Sequence, residues 1–125
     1  MGADASTAPS RQGQAQNELV RRFARLMYAR YGARIYLFGS RALGSAAADS
    51  DYDVVAVSSA FREHRTAVRA LDRYELWHAA GGWGLELDLH CYTPEEFRAE
   101  LTGLGYLGQA KRRGELRRVA ASDAA

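Results

Sequence analysis

Two aspartates, Asp51 and Asp53, stand two residues apart at the entrance to the apolar run Asp53-Val-Val-Ala-Val57. On a strand such residues share a face, roughly 6–7 Å apart along it. Carboxylates so placed repel one another unless cations lie between them, and magnesium prefers oxygen donors of this kind. By itself the pair says little, because Asp-x-Asp beside a serine is also a common turn. Gly39-Ser40, however, closes the preceding β-rich run, and ten residues (41–50) separate Ser40 from Asp51. A glycine lets a polyphosphate approach the backbone, while a serine hydroxyl and turn amides can hold its oxygens. If the two strands are neighbours, turn and carboxylates meet at one end of a sheet. Asp88, in a third run, adds another carboxylate. Three carboxylates from two strands can bind two metals about 3.5–4 Å apart, neutralise a nucleoside triphosphate and activate an attacking hydroxyl. That chemistry is nucleotidyl transfer, with pyrophosphate leaving.

The surrounding elements must position these groups. Over 17–31, Leu19, Phe23, Leu26 and Met27 follow an amphipathic helical pattern, with Glu18, Arg21, Arg22 and Arg25 opposite, and Gly32 caps the end. A strand over 34–38 runs into the Gly39-Ser40 turn, and 41–50 forms a small-residue connection that could hold a short helix. Helix formers dominate 63–80, with Val68, Leu71, Leu76 and Ala79 as expected core contacts. Residues 85–92 alternate: Leu85, Leu87, Leu89 and Cys91 define one face, Glu86, Asp88, His90 and Tyr92 the other. Thr93-Pro94-Glu95-Glu96 predicts a helix start with a capping box. Phe97, Leu101 and Leu104 continue its apolar stripe, and Gly103, Gly105 and Gly108 predict two short helices in place of one long one. The order predicts a single α+β domain over 17–118, between disordered tails at 1–16 and 119–125.

Composition narrows the function classes. Hydrophobic residues make up 47% and charged residues 26% of the 125, an ordinary globular balance. No apolar run is long enough for a membrane span, and the start lacks a signal-peptide pattern, so a cytoplasmic location is expected. The single cysteine, Cys91, has no internal disulfide partner and fits a reduced compartment. Of 17 basic residues all but Lys111 are arginine, with one cluster at Arg21, Arg22, Arg25, Arg30 and Arg34 and another at Lys111, Arg112, Arg113, Arg117 and Arg118. A solvated helix face and a frayed basic tail account for them; a formal charge of +2 argues against nucleic-acid binding. His64, His78 and His90 fit no zinc spacing. Trp77 and Trp83 are expected in the core or at an interface, and Tyr74 and Tyr106 have no special context.

Leu-Phe-Gly-Ser-Arg-Ala-Leu-Gly, then Ser-Asp-Tyr-Asp-Val-Val, then Leu-Glu-Leu-Asp-Leu, resembles the minimal nucleotidyltransferase branch of the DNA polymerase β superfamily over about 34–114. The resemblance implies a nucleotidyltransferase fold, a short mixed β-sheet of about three strands with helices on one side. It implies that Gly39 and Ser40 hold the triphosphate, with Arg41 as a phosphate partner. Asp51 and Asp53 would bind both magnesium ions, and Asp88 would bind one and help deprotonate the acceptor. Many similar proteins are antitoxins that transfer AMP from ATP to a tyrosine of a HEPN-type ribonuclease toxin.

About 105 residues suffice for a catalytic domain but leave little for an acceptor-binding domain. The acceptor is therefore expected in a shallow site, at a dimer interface or on a partner protein, compatible with a homodimer or hetero-oligomer. Two alternatives stand beside protein adenylylation: a small-molecule, aminoglycoside-type nucleotidyltransferase, and a non-catalytic antitoxin acting by binding.

Overall fold

The computed structural model describes residues 11–43 and 51–120. Helix α1 (Arg11–Tyr31) is followed by strand β1 (Arg34–Phe38) and the single-turn helix α2 (Ser40–Leu43). Strand β2 (Tyr52–Val57) leads through two 3-10 segments (Ser59–Glu63 and Thr66–Val68) to helix α3 (Arg73–Ala80). Strand β3 (Leu87–Tyr92), helices α4 (Pro94–Thr102) and α5 (Tyr106–Arg112), and strand β4 (Leu116–Val119) complete the order.

The sheet runs β3-β2-β1-β4. β1 pairs antiparallel with β2 and with β4, whereas β2 and β3 are parallel, Asp53 lying opposite Asp88. A parallel pair requires a crossover, here supplied by residues 58–86. The mixed sheet and the α+β class agree with expectation; the fourth strand was not anticipated. Arg117 and Arg118, read as part of a frayed basic tail, lie in β4 beside Leu37 and Tyr36.

Helices cover both faces, in contrast to the one-sided layer that the resemblance implies. On one face, Leu19, Val20, Phe23, Ala24 and Met27 of α1 and Leu76, Trp77 and Ala80 of α3 pack with Ile35, Leu37, Val54, Ala56, Leu87, Leu89 and Cys91. Fully buried Trp77 sits edge-on to Phe23 and Tyr52, with ring centroids 5.2 and 5.1 Å away, and its indole N–H donates to Leu85 O at 2.9 Å. Gly82 is required beside it, since a Cβ there would lie 2.3 Å from Trp77 Nε1. On the other face, Phe97 of α4 and Leu107 and Ala110 of α5 bury against Phe38, Val55 and Val57. Period-two alternation divides each strand between these cores.

Local signals explain several boundaries. Gly32, at φ +64°, ends α1 with its N–H on Tyr28 O at 2.7 Å. Thr93 and Glu96 form the expected capping box, with Pro94 at the first helical position. α1 begins six residues before the expected start at Asn17, so residues 11–16 are helical, not tail; residues 1–10 and 121–125 lie outside the described residues. The 63–80 stretch also differs: Leu71 is 73% exposed, Val68 and Ala79 are exposed, and Trp77 takes the central place. Leu104 is exposed because the chain turns at Gly103 before the stripe reaches it.

Arginines from the connection finish the crossover. Arg69, itself buried, donates to Cys91 O at 3.2 Å and grips Glu96 with Nη1 and Nη2, at 2.6 and 3.2 Å. Arg73 Nη1 donates to Leu89 O at 2.8 Å. Two arginines of the first cluster also have structural partners: Arg22 Nε donates to Ala80 O at 2.8 Å, capping α3, and Arg30 pairs with Asp72 at 2.7 Å.

Candidate active site

The parallel register of β2 and β3 gives the site its frame. Asp53 and Asp88 are direct partners, so their side chains leave the same face of adjacent strands, spaced about 4.8 Å apart at the backbone. Asp53 is half-buried, while the Asp88 side chain is 60% exposed. Asp51 is exposed and immediately precedes β2. Burial raises the Asp53 pKa above the ordinary carboxylate value, and the charges of Asp88 and Asp51 raise it further; His90 opposes them. The three carboxylates identified from spacing thus act on one point.

Gly39 closes the site from β1. It adopts φ +75°, and a Cβ on it would lie 3.5 Å from Asp53 Oδ2, so only a side chain added at the turn would meet the carboxylate. Its N–H is committed to Glu115 O at 3.1 Å, extending the pairing with β4. The Gly39 amide is therefore engaged by protein. Ser40 opens α2; its side chain, like the whole of 44–50, lies outside the described residues. Arg41 is placed differently from expectation. Its side chain is buried, with the guanidinium 3.9 Å over the Tyr52 ring, and Tyr52 belongs to the α1 and α3 core, opposite the face of Asp53.

Two aromatic residues join the site, His90 on the face that the β3 alternation assigned and Tyr106, for which spacing gave no hint. His90 Nε2 lies 3.4 Å from Asp88 Oδ2, and the Tyr106 hydroxyl lies 3.2 Å from His90 Nδ1. Tyr106 also hydrogen-bonds with Tyr92, and its ring rests against Phe38, with centroids 5.5 Å apart. Burial and the charges of Asp88, Glu100 and Asp53 raise its pKa, against the Tyr92 hydrogen bond, which lowers it. The β3 alternation gave the shared face of Asp88, His90 and Tyr92. Nothing local to Tyr106 revealed that α5 returns over that face. Glu86, expected on the same face, precedes β3 and contributes its carbonyl to Tyr52 N–H at 2.9 Å.

Among the described residues, no three His, Cys, Asp or Glu side chains close into a metal cage. The donor set nevertheless fits a hard divalent cation. Such an ion is commonly held by one or two carboxylates with substrate phosphates and water completing its shell, and the repulsion at Asp53 is what a cation relieves. A cleft of about 470 Å³ lies along the outer side of β3, walled by Thr66, Leu71, Arg73, Tyr74 and Leu89; His90 is common to cleft and site. Asp53 and Asp88 are not among its walls.

The domain is an α+β fold whose mixed sheet presents paired carboxylates beside a glycine turn. Residues 17–119 match the nucleotidyltransferase domain family, and the chain belongs to it. The fold is also similar to the crystal structure of a provisionally assigned nucleotidyltransferase from Sulfolobus solfataricus. The TM-score is 0.50 at 18% identity, covering 74% of this chain and 84% of that one. No curated protein matches the chain. Family members generally use a nucleoside triphosphate and a divalent metal. Among the described residues, no helix is long and apolar enough to cross a membrane.

Proposed function

We propose that the chain transfers AMP from ATP to a tyrosine hydroxyl of a partner protein, acting as an antitoxin toward a HEPN-type ribonuclease. The observation that carries nucleotidyl transfer is the direct pairing of Asp53 with Asp88 against Gly39. Asp51, Asp53 and Asp88 would hold magnesium, which when bound neutralises phosphate charge and favours the attacking alkoxide or phenoxide. Gly39 leaves room for the phosphates, and Ser40 would bind them. Asp88, the more exposed carboxylate, would orient the acceptor and take part in removing its proton.

The exposure of Asp51 and Asp88 supports a macromolecular acceptor. Asp51 and Asp88 are exposed and lie outside the cleft beside β3, whereas small-molecule sites usually bury most of their ligand. The protein acceptor and the antitoxin role rest on the sequence resemblance.

The test is to co-purify the chain with the product of the neighbouring gene, add ATP and magnesium, and measure intact masses. A gain of one AMP on the partner, absent with Asp53→Asn, is the expected result. If partner activity is still suppressed by a folded Asp51→Asn, Asp53→Asn double variant, suppression is by contact and the catalytic reading is wrong.

A further inference from the structure

We propose that Tyr106 is itself an acceptor, so that the chain attaches a nucleoside monophosphate to its own Tyr106 hydroxyl. This rests on the nucleotidyl-transfer reading above and adds a substrate that lies within the fold. Tyr106 opens α5 directly after the Gly103–Gly105 turn, and α5 carries it over the carboxylate-bearing face of β3. The hydroxyl is 3.2 Å from His90 Nδ1, and the His90 ring reaches Asp88 Oδ2 at 3.4 Å. The Tyr106 ring is fixed by Phe38 and by an edge-on contact with His90, at 5.5 and 5.8 Å between centroids, yet the residue is 47% exposed.

No other tyrosine among the described residues combines these properties. Tyr52 is buried, and Tyr31 is bound to Asp72. Tyr36 packs on Phe97. Tyr74 lies on the cleft side of β3, and Tyr28 lines a separate pocket beside β4. Tyr92 shares the hydrogen bond with Tyr106 but is partly buried against Phe97.

In the step, the Tyr106 oxygen attacks the α-phosphorus of a nucleoside triphosphate. The new oxygen–phosphorus bond forms as the bond from that phosphorus to the pyrophosphate oxygen breaks. Pyrophosphate leaves, and the phenolic proton passes to the neighbouring His90 ring. The product places a nucleotide over Asp53 and Asp88, so modification blocks further turnover.

The full chain is incubated with magnesium and each of the four nucleoside triphosphates, then analysed by intact mass and peptide mapping. The expected result is an increment of one nucleoside monophosphate per chain, mapped to Tyr106. It is lost in Tyr106→Phe and Asp53→Asn and kept in Tyr74→Phe. An adduct mapped to another residue overturns the assignment while leaving transferase activity established. The absence of any adduct, when magnesium-dependent nucleotide binding still raises the melting temperature, also overturns the assignment and leaves the reading of transfer to a partner standing. Absence of both adduct and nucleotide binding sinks the proposal and the transferase reading together.

Discussion

Asp53 and Asp88 stand opposite one another across the parallel pair β2–β3, two carboxylates brought into one register from either side of a crossover. The arrangement is costly without a counter-ion. Burial and neighbouring charge raise the Asp53 pKa, so the native state binds this proton more tightly than the unfolded chain does. Metal-free stability therefore falls as pH rises from the ordinary value of 3.8 through the raised one. Asp53→Asn should melt higher than the parent at pH 7 without metal, and the two should converge below the ordinary value. Transfer activity should drop on the order of 10²-fold or more. Thermal melts across pH, with and without magnesium and ATP, check both parts: only the parent should gain from the additions.

Gly39 borders the same carboxylate at the end of β1. Its positive φ costs a residue with a Cβ about 1–2 kcal/mol, and the added methyl would sit 3.5 Å from Asp53 Oδ2. Gly39→Ala should lose about that much stability in urea titration and also weaken triphosphate binding. Loss of stability with unchanged nucleotide affinity would remove Gly39 from the binding site.

Gly108 brings α5 against the turn that precedes it. A Cβ there would lie 2.3 Å from Gly103 O and 3.1 Å from Glu100 O, both rigid backbone atoms. Gly108→Ala should cost about 1–3 kcal/mol by overpacking and displace Tyr106 at the start of the same helix. Chemical denaturation gives the cost, and a weakened Tyr106–His90 contact should appear as a shifted His90 imidazole resonance.

At the alkaline limit, Tyr31 is the sensitive group. Burial, followed by its hydrogen bond to Asp72, pushes its hydroxyl up to about 12 from 10.0. The folded state holds this proton where the unfolded chain releases it, so stability should decline as pH rises from 10 to 12. Tyr31→Phe should be less stable at pH 8, because Asp72 loses a partner, but should show a shallower decline across that window. Denaturant midpoints at several pH values distinguish the two slopes.

Thr93→Ala removes one arm of the capping box at α4, where Thr93 Oγ1 accepts from Glu96 N at 3.2 Å and Glu96 Oε1 accepts from Thr93 N at 2.9 Å. The expected loss is about 1 kcal/mol, measured by urea unfolding, with little change in transfer chemistry.

Short-range chemistry was the most legible part of the sequence. The capping box, the Gly32 stop and the alternation of 87–92 each depend on residues within one turn or one pleat, and each appears as expected. Gly39, Asp53 and Asp88 could be placed together because each was tied to its own strand, needing only the strands to be neighbours. Tertiary packing was harder to read. Leu71 and Trp77 offer similar apolar surface, but the 3-10 segments set the phase of α3 and put only Trp77 inside. Arg41 could not be assigned to a face from sequence, because stacking on Tyr52 depends on how α2 leaves the Gly39 turn. Tyr106 was invisible for the same reason: its neighbours in space, His90 and Phe38, are distant in sequence.

β3 bears Asp88 yet lies at the margin of the sheet, where unsatisfied carbonyls ordinarily invite another chain to add as a fifth strand. Here Leu89 O and Cys91 O are already occupied by Arg73 and Arg69, and Glu96 holds Arg69 in place. An intruding strand would have to displace two guanidinium groups before forming its first backbone bonds. The margin nearest the carboxylates is thereby protected against edge-to-edge aggregation.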